Sequence, residues 1–195
     1  HFPVTPADVV DAAARVKPHV HRTPVLTCNG LDKLAGRSLK FKCEVFQRTG
    51  SFKIRGAYNK MSHLSSTELL KGVIAASAGN HGQGVSLAAK KLKIRSTIVM
   101  PQTTPAVKVA SVKRLGSDVV LHGDSYSDAF EEATKIAKRS KKQLIHPFDD
   151  MHVIAGQGTI GMEIIRQMSE PIDAIFIAVG GGGLISGVGC YIKSI

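Results

Sequence analysis

One lysine has neighbours that could make it a nucleophile. The stretch QRTGSFKIRGAYNK (47–60) places Lys53 between Phe52 and Ile54, after a Thr-Gly-Ser turn and at the start of a predicted helix. A lysine amine can form a Schiff base with an aldehyde, and burial beside apolar side chains disfavours the ammonium form. The same letters fit an ordinary amphipathic helix with Lys53 and Arg55 on its polar edge. Spacing alone therefore makes Lys53 a candidate and no more.

A second segment has the composition of a phosphate-binding turn. Four consecutive glycines lie between an apolar run and a helix predicted to start near Leu184; they are Gly180, Gly181, Gly182 and Gly183. Backbone N–H groups without side chains can surround an anion, and a helix N-terminus adds partial positive charge. The run fits neither a dinucleotide fingerprint, because Ile185 stands where a third spaced glycine would be, nor a P-loop, because it lacks the lysine. The alternative is a tight turn packed closely against a neighbouring element.

A third segment, SAGNHGQG (77–84), joins a predicted strand to a predicted helix. Ser77 and Asn80 offer a hydroxyl and an amide beside the backbone N–H groups of a helix start, a combination suited to a carboxylate or a ring oxygen. The alternatives are that both residues cap the helix and that His81 has an ordinary packing role.

The elements that must position these segments alternate from residue 38 onward. Strands are predicted at 38–46, 72–78, 95–101, 117–123, 142–147 and 173–180, and helices at 81–93, 105–115, 125–140 and 152–168. This alternation is typical of an α/β protein with a parallel sheet covered by helices. Thr5 followed by Pro6 predicts the start of one further helix near the N-terminus.

Composition and charge narrow the class of protein. A chain of 195 residues with 43% hydrophobic residues predicts a folded globular protein, and no apolar run is long enough to span a membrane. The net charge of +11 is dispersed, and its densest run, KRSKK at 138–142, falls at a predicted helix end. We therefore expect no nucleic-acid partner. Three separated cysteines predict reduced thiols and a cytoplasmic protein, or an organellar one if a transit peptide was removed before His1.

Taken together, the three segments resemble a known family. SFKIRGA, SAGNHGQG and VGGGGLISG, in that order, are similar to the serine/threonine dehydratase group of pyridoxal-phosphate enzymes. This is the type II, or tryptophan-synthase-β-like, fold, and it includes serine racemase. The resemblance continues from RTPV at 22–25 through PFDDMHVIAGQGTIGMEI at 147–164 to the end of the chain.

The resemblance implies an α/β fold of two three-layer units with mainly parallel sheets. Residues 1–64 together with 149–195 would form the large, cofactor-phosphate domain, and residues 65–148 the small domain. Because members of the family continue well beyond the glycine run, we expect the large domain to lack its C-terminal part. The cofactor would lie in the cleft between the two units.

The resemblance also assigns roles. Lys53 would form the Schiff base with pyridoxal 5'-phosphate, Phe52 would lie against the cofactor ring, and Asn80 would bind the ring hydroxyl. The substrate carboxylate would be held by Ser77, Asn80 and the backbone around His81. The phosphate would be bound by Gly180, Gly181, Gly182, Gly183 and the N–H of Leu184. A monovalent or divalent cation would be bound by residues absent from this chain.

The implied activity is dehydration and deamination of L-threonine, and of L-serine, to a 2-oxo acid and ammonia by a homodimer or higher homo-oligomer. Racemases of this group carry a serine just before the glycine of S-x-G-N-H, where this chain has Ala78. An alanine has no proton to give, so elimination is favoured over racemisation. Two alternatives stay open, namely a racemase or other lyase of the same fold and an inactive fragment that only binds ligand.

Overall fold

The computed structural model describes residues 4–195. Residues 1–3, which the domain prediction includes, lie outside this range. The strands are β1 (Val25–Leu26), β2 (Phe41–Lys42), β3 (Val73–Ala76), β4 (Ser96–Met100), β5 (Asp118–Leu121) and β6 (Gln143–Leu144). The helices are α1 (Pro6–Val16), α2 (Asn29–Ala35), α3 (Lys53–Met61), α4 (Ser66–Lys71), α5 (Asn80–Leu92), α6 (Ala106–Arg114), α7 (Tyr126–Ser140), α8 (Met151–Gln167) and α9 (Gly183–Lys193).

A parallel four-stranded sheet forms the centre of the fold. Its strand order is β5-β4-β3-β6, and every neighbouring pair is parallel. The two central strands, β3 and β4, are buried along their whole length, which explains why both are apolar runs without alternation. The predicted parallel sheet covered by helices is confirmed.

Alternate residues of β3 pack into two different hydrophobic cores. Val73 and Ala75 belong to the core that α3 and α5 share, whereas Ile74 and Ala76 pack with Ala129 of α7. Because successive side chains of a strand point to opposite faces, the sheet is the middle of three layers. The strand β3 ends at Ala76, directly before the SAGNHGQG turn, so the sheet fixes where that turn lies.

Helices outside this sheet form a further core. Val9 and Ala12 of α1 pack against Ala155 of α8, and α9 also contacts α8. Nearby, β1 and β2 form a two-stranded antiparallel sheet. The division into a domain of 1–64 with 149–195 and a domain of 65–148 stays a prediction.

Local signals set the helix ends where the sequence predicted them. Thr5 accepts a hydrogen bond from the Asp8 backbone, and the Asp8 side chain accepts one from the Thr5 N–H, so a capping box starts α1. The helix α7 ends at Ser140 within the run KRSKK, and its last turn is basic as the helix dipole favours. Both predictions are confirmed.

Two strand predictions are wrong in extent. The run 38–46 pairs only at β2 and then forms a short 3-10 helix over Glu44–Phe46. The run 173–180 forms no strand, because no strand in residues 4–195 lies beside it to complete the hydrogen-bond ladder. Two of its apolar side chains are largely exposed, Phe176 at 93% and Val179 at 60%. None of the helices described in residues 4–195 combines the length and apolar character needed to cross a bilayer.

Candidate active site

Lys53 is the first residue of α3, and its amine points to the segment after β6. Its Nζ donates a 2.8 Å hydrogen bond to the carbonyl oxygen of Pro147 and lies 5.2 Å from the centre of the Phe52 ring. Burial lowers the pKa of Lys53 from its ordinary value of 10.5. No carboxylate within residues 4–195 forms an ion pair with this amine. A larger share of Lys53 is therefore uncharged and nucleophilic than of a lysine in water.

The first turn of α3 is held by other elements. The side chain of its N-cap residue, Phe52, has no oxygen that could accept a hydrogen bond from the first turn. A side chain from another helix accepts one, because the N–H of Gly56 donates to Oε1 of Gln157 on α8 at 3.1 Å. A Cβ on Gly84 would lie 3.0 Å from the Lys53 carbonyl carbon, and one on Gly156 would lie 2.7 Å from the Arg55 carbonyl oxygen. The start of α3 is thus wedged between α5 and α8, which fixes the backbone of Lys53.

The glycine run forms the turn into α9. Gly182 has a φ of +87°, a left-handed conformation that favours glycine, and α9 begins at the next residue. Side chains on Gly181 or Gly183 would overlap Phe148, so the close packing expected of a tight turn is present there. Side chains on Gly180 or Gly182 would meet no atom within 4 Å, which leaves that side of the turn open to a ligand.

One cavity of about 320 Å³ joins the lysine to the glycine turn. Its lining contains the predicted residues Phe52, Lys53, Gly180, Gly181, Gly182, Gly183 and Leu184. Other residues in the wall had no predicted role, namely Pro147, Phe148, Gln157, Ala178, Val179 and Ile185. The run 147–164 had carried part of the family resemblance, but nothing in its spacing separated the wall residues from residues of the core.

The residues predicted to bind substrate do not line this cavity, and these include Asn80, which was also predicted to bind the cofactor ring hydroxyl. Ser77 is buried, and its Oγ accepts a 3.1 Å hydrogen bond from the N–H of Gly79 within the turn. Asn80 is the exposed first residue of α5. The structure therefore brings Lys53, Phe52 and the glycine run together and places the SAGNHGQG turn outside their shared cavity.

His81 ties this turn to the segment that receives Lys53. Its Nε2 donates a 2.8 Å hydrogen bond to the carbonyl oxygen of Ile145, two residues before Pro147. Burial, with smaller contributions from the charges of Lys53 and His146, lowers the pKa of His81 to about 4. His81 is thus a neutral, buried residue that packs the start of α5 against residues 145–147.

Unsatisfied polar atoms are concentrated around the candidate site. Within residues 4–195, the buried side-chain atoms without a partner are Ser51 Oγ, Thr104 Oγ1, His81 Nδ1 and Gln157 Nε2. Ser51 precedes Lys53 by two residues, Gln157 lines the cavity and His81 neighbours Lys53. Buried polar groups are normally hydrogen-bonded, so this concentration is consistent with a ligand or bound water completing the site.

The donor set fits a flat aldehyde with an anionic tail. The cavity wall contains an amine whose pKa is lowered by burial, an aromatic ring beside that amine, and an open glycine turn at a helix N-terminus. In the described part of the chain, no group of three or more His, Cys, Asp or Glu side chains is placed to hold a metal ion. The cation site, which the resemblance assigns to residues absent from this chain, stays a prediction.

Known proteins share both this sequence and this fold. The family model described as "Pyridoxal-phosphate dependent enzyme" matches residues 16–195. L-threonine ammonia-lyase of Thermotoga maritima is 47% identical over 191 residues, which are 98% of this chain and 47% of that protein. The chain thus spans about half the length of this relative.

Solved structures agree with the sequence relatives. The processed form of threonine deaminase isoform 2 from Solanum lycopersicum superposes with a TM-score of 0.92 at 48% identity, covering 97% of this chain and 52% of that one. Maize serine racemase superposes with a TM-score of 0.95 at 39% identity, covering 99% and 58%. The chain therefore has the type II fold and belongs to the family of pyridoxal-phosphate-dependent enzymes.

Proposed function

We propose that this chain catalyses the pyridoxal-phosphate-dependent dehydration and deamination of L-threonine, and of L-serine, to a 2-oxo acid and ammonia. The observation that carries the proposal is the cavity that Lys53, Phe52 and the glycine turn line together. The similarity to L-threonine ammonia-lyase supports threonine as the first substrate to test.

The residues of this chain would divide the work of holding the cofactor. Lys53 would bind it covalently, Phe52 would pack against its ring and Asn80 would bind its ring hydroxyl. The phosphate would be bound by the backbone of Gly180, Gly181, Gly182, Gly183 and Leu184. Pyridoxal phosphate, when bound, supplies an aldehyde that bonds reversibly to amines and a conjugated ring that accepts the electron pair left when an α-proton departs.

Lys53 would then act as the base. With substrate in the cavity, the Nζ of Lys53 would take up the proton from the substrate α-carbon, and burial, which lowers the pKa of this amine, favours the unprotonated form that this role needs. Pro147 O, which accepts a hydrogen bond from Nζ, would hold the amine in the cavity. Loss of the α-proton and of the β-hydroxyl amounts to loss of one water and would give an enamine, whose tautomerisation and hydrolysis give 2-oxobutanoate and ammonia from threonine, or pyruvate and ammonia from serine.

The SAGNHGQG turn would supply the substrate carboxylate site through Ser77, Asn80 and the backbone around His81. Because these residues do not line the cavity, binding requires the turn to approach it or the substrate to extend toward the turn. Gly84, one helical turn after Asn80 on α5, packs against Lys53. This contact would fix the position of the carboxylate site relative to the lysine.

Absorption and product assays test the proposal. The chain mixed with pyridoxal phosphate should develop an absorption band near the visible edge, and the Lys53→Ala variant should not. It should also release 2-oxo acid from L-threonine and L-serine. A wild-type chain that gives neither signal contradicts the proposal, and one that gives the band without product supports a fragment that only binds ligand.

A second candidate activity is serine racemisation, which the superposition on maize serine racemase favours. Against it, Ala78 stands where racemases of this group carry a serine, and an alanine has no proton to give. Measuring D-serine formed from L-serine, beside pyruvate, separates the two activities.

We further propose that the protein is a cytoplasmic homo-oligomer. All three cysteines are free thiols, as expected in a reducing compartment. An apolar groove of about 810 Å³, lined in part by Phe41, Ile164 and Ile175, offers a surface that a second copy could cover. Sedimentation of the purified chain tests the association, and fractionation of cells tests the compartment.

A further inference from the structure

A buried charge cluster lies on the opposite side of α3 from the cavity. The guanidinium of Arg55, which is 0% exposed, makes paired hydrogen bonds to two carboxylates. Its Nε and Nη2 donate to Glu44 at 2.9 and 2.7 Å, and its Nη1 and Nη2 donate to Glu163 at 2.7 and 3.0 Å. Such paired geometry fixes both the position and the plane of the guanidinium.

The rest of the cluster balances its charge. Lys42 Nζ donates to Glu163 at 2.6 Å and to Gln167 at 2.8 Å, so the cluster holds two cations and two anions. Arg55 Nη1 also donates to Thr159 at 3.2 Å. The guanidinium is thus fully paired, and removing it would leave Glu44 without its ion-pair partner and Glu163 with Lys42 alone.

The position of Arg55 on α3 links this cluster to the candidate nucleophile. Lys53 and Arg55 occupy the first and third positions of the helix, which lie on opposite sides of a helical turn. The helix start has no side-chain cap, so its direction depends on contacts made by its side chains and glycines. Arg55 is bonded to Glu163 of α8, one of the two helices that flank this start, and to Glu44 in the segment before α3.

We infer that Arg55, clamped by Glu44 and Glu163, is a positioning residue that sets the direction in which Lys53 enters the cavity. The inference rests on the proposed function, because it assigns Lys53 the covalent role. A lysine at position 55 would keep the charge but could not bond both carboxylates in pairs, since an ammonium is a point donor.

Comparing two ligands distinguishes a change in the position of Lys53 from a change in the folding of the site. Pyridoxal phosphate bonds to Lys53, whereas pyridoxine 5'-phosphate carries an alcohol in place of the aldehyde and needs only the ring wall and the glycine turn. We would measure the rate constant for attachment at Lys53, trapped with borohydride and located by mass spectrometry, beside the Kd for pyridoxine phosphate. Arg55→Lys should slow attachment roughly 10- to 100-fold, as expected for a misplaced reacting group, and leave that Kd unchanged.

The matched control is Lys60→Met. Lys60 lies on the same helix and pairs with Asp150 at the start of α8 at 2.7 Å, so this change also removes an ion pair between α3 and α8. It lies two turns away from Lys53, and neither measurement should change.

Several results would overturn the inference that Arg55 positions Lys53. Attachment by Arg55→Lys at the wild-type rate overturns the inference, as does a parallel loss of both ligands, which would mean that Arg55 only stabilises the fold. If Arg55→Lys does not fold, Glu163→Gln takes its place, because it keeps an acceptor oxygen and removes one charge; loss of both ligands there also overturns the inference. A wild-type chain that never labels at Lys53 contradicts the proposed function itself.

Discussion

Gly183 lies directly against the backbone of Phe148: a Cβ on Gly183 would come within 2.7 Å of the Phe148 carbonyl oxygen. The preceding carbonyl, that of Pro147, accepts the hydrogen bond from Lys53. Adjacent residues of one segment therefore contact both the lysine and the glycine turn. This segment, which comes after strand β6 in the chain, therefore sets the distance between Lys53 and the glycine turn.

Gly183→Ala should weaken phosphate-ester binding and destabilise the fold. The added methyl group has no room against the Phe148 backbone, and overpacking of this kind costs about 1–3 kcal/mol. The measurements are the Kd for pyridoxine phosphate and the free energy of unfolding in urea. Gly189→Ala is the control, because it lies on the same helix with no atom within 4 Å of the added Cβ. Equal effects of the two changes would refute the close contact.

Sequence patterns predicted the elements well where local signals act. The capping pair of Thr5 and Asp8 and the buried run of β3 identify their elements without any tertiary information. The run 173–180 has the same apolar character as β3, yet it forms no strand, because strand formation depends on a neighbour that the run cannot specify.

The candidate site was predictable in part for the same reason. Lys53 and the glycines have unusual neighbours in the sequence, which identify them as candidates without knowledge of the fold. Gln157 and Phe148 have ordinary neighbours and gain their place in the cavity wall only when α8 packs against α3 and α9 packs against α8. Arg55 fitted the polar edge of an amphipathic helix, and that interpretation is wrong, because α8 and residues 21–44 bury it completely.

Attachment of pyridoxal phosphate to Lys53 should begin at lower pH than the reaction of an ordinary lysine. Burial lowers the pKa of Lys53 below 10.5, and only the unprotonated amine attacks an aldehyde. The rate of borohydride-trapped labelling at Lys53, followed against pH, should therefore reach half its maximum below pH 10.5. Exposed lysines in the same digest serve as the reference, and a shared midpoint would contradict the burial of the amine.

Acid should destabilise the protein through His81. Its pKa is about 4 in the folded state against an ordinary 6.5, so the unfolded chain takes up this proton first as the pH falls. The stability is present in full above pH 6.5 and declines toward pH 4, by up to about 1.4 kcal/mol for each pH unit.

Urea unfolding across this range measures the effect. His81→Gln should flatten the dependence on pH, since an amide has no proton to gain, whereas the exposed His122→Gln should not. An unchanged slope in His81→Gln would show that the imidazole is not held neutral by burial.

Glu163 should add a second loss of stability at lower pH. Burial alone would raise the pKa of this carboxyl, but the hydrogen bonds and charges of Arg55 and Lys42 outweigh burial and hold the pKa below 4.5. The folded state therefore keeps the carboxylate charged where the unfolded state has begun to protonate. Its contribution is present in full above pH 4.5 and is lost as the pH falls through the folded pKa.

Glu163→Gln removes this titration together with one charge of the cluster. The variant should be less stable than the wild type at pH 7, by about 3–5 kcal/mol if the amide fails to replace the broken pair, and the gap should narrow as the pH falls below 4.5. Glu131→Gln, at an exposed position of α7, is the control and should leave the curve unchanged. A gap that stays constant from pH 7 down to acid unfolding would mean that the charge of Glu163 does not stabilise the cluster around Arg55.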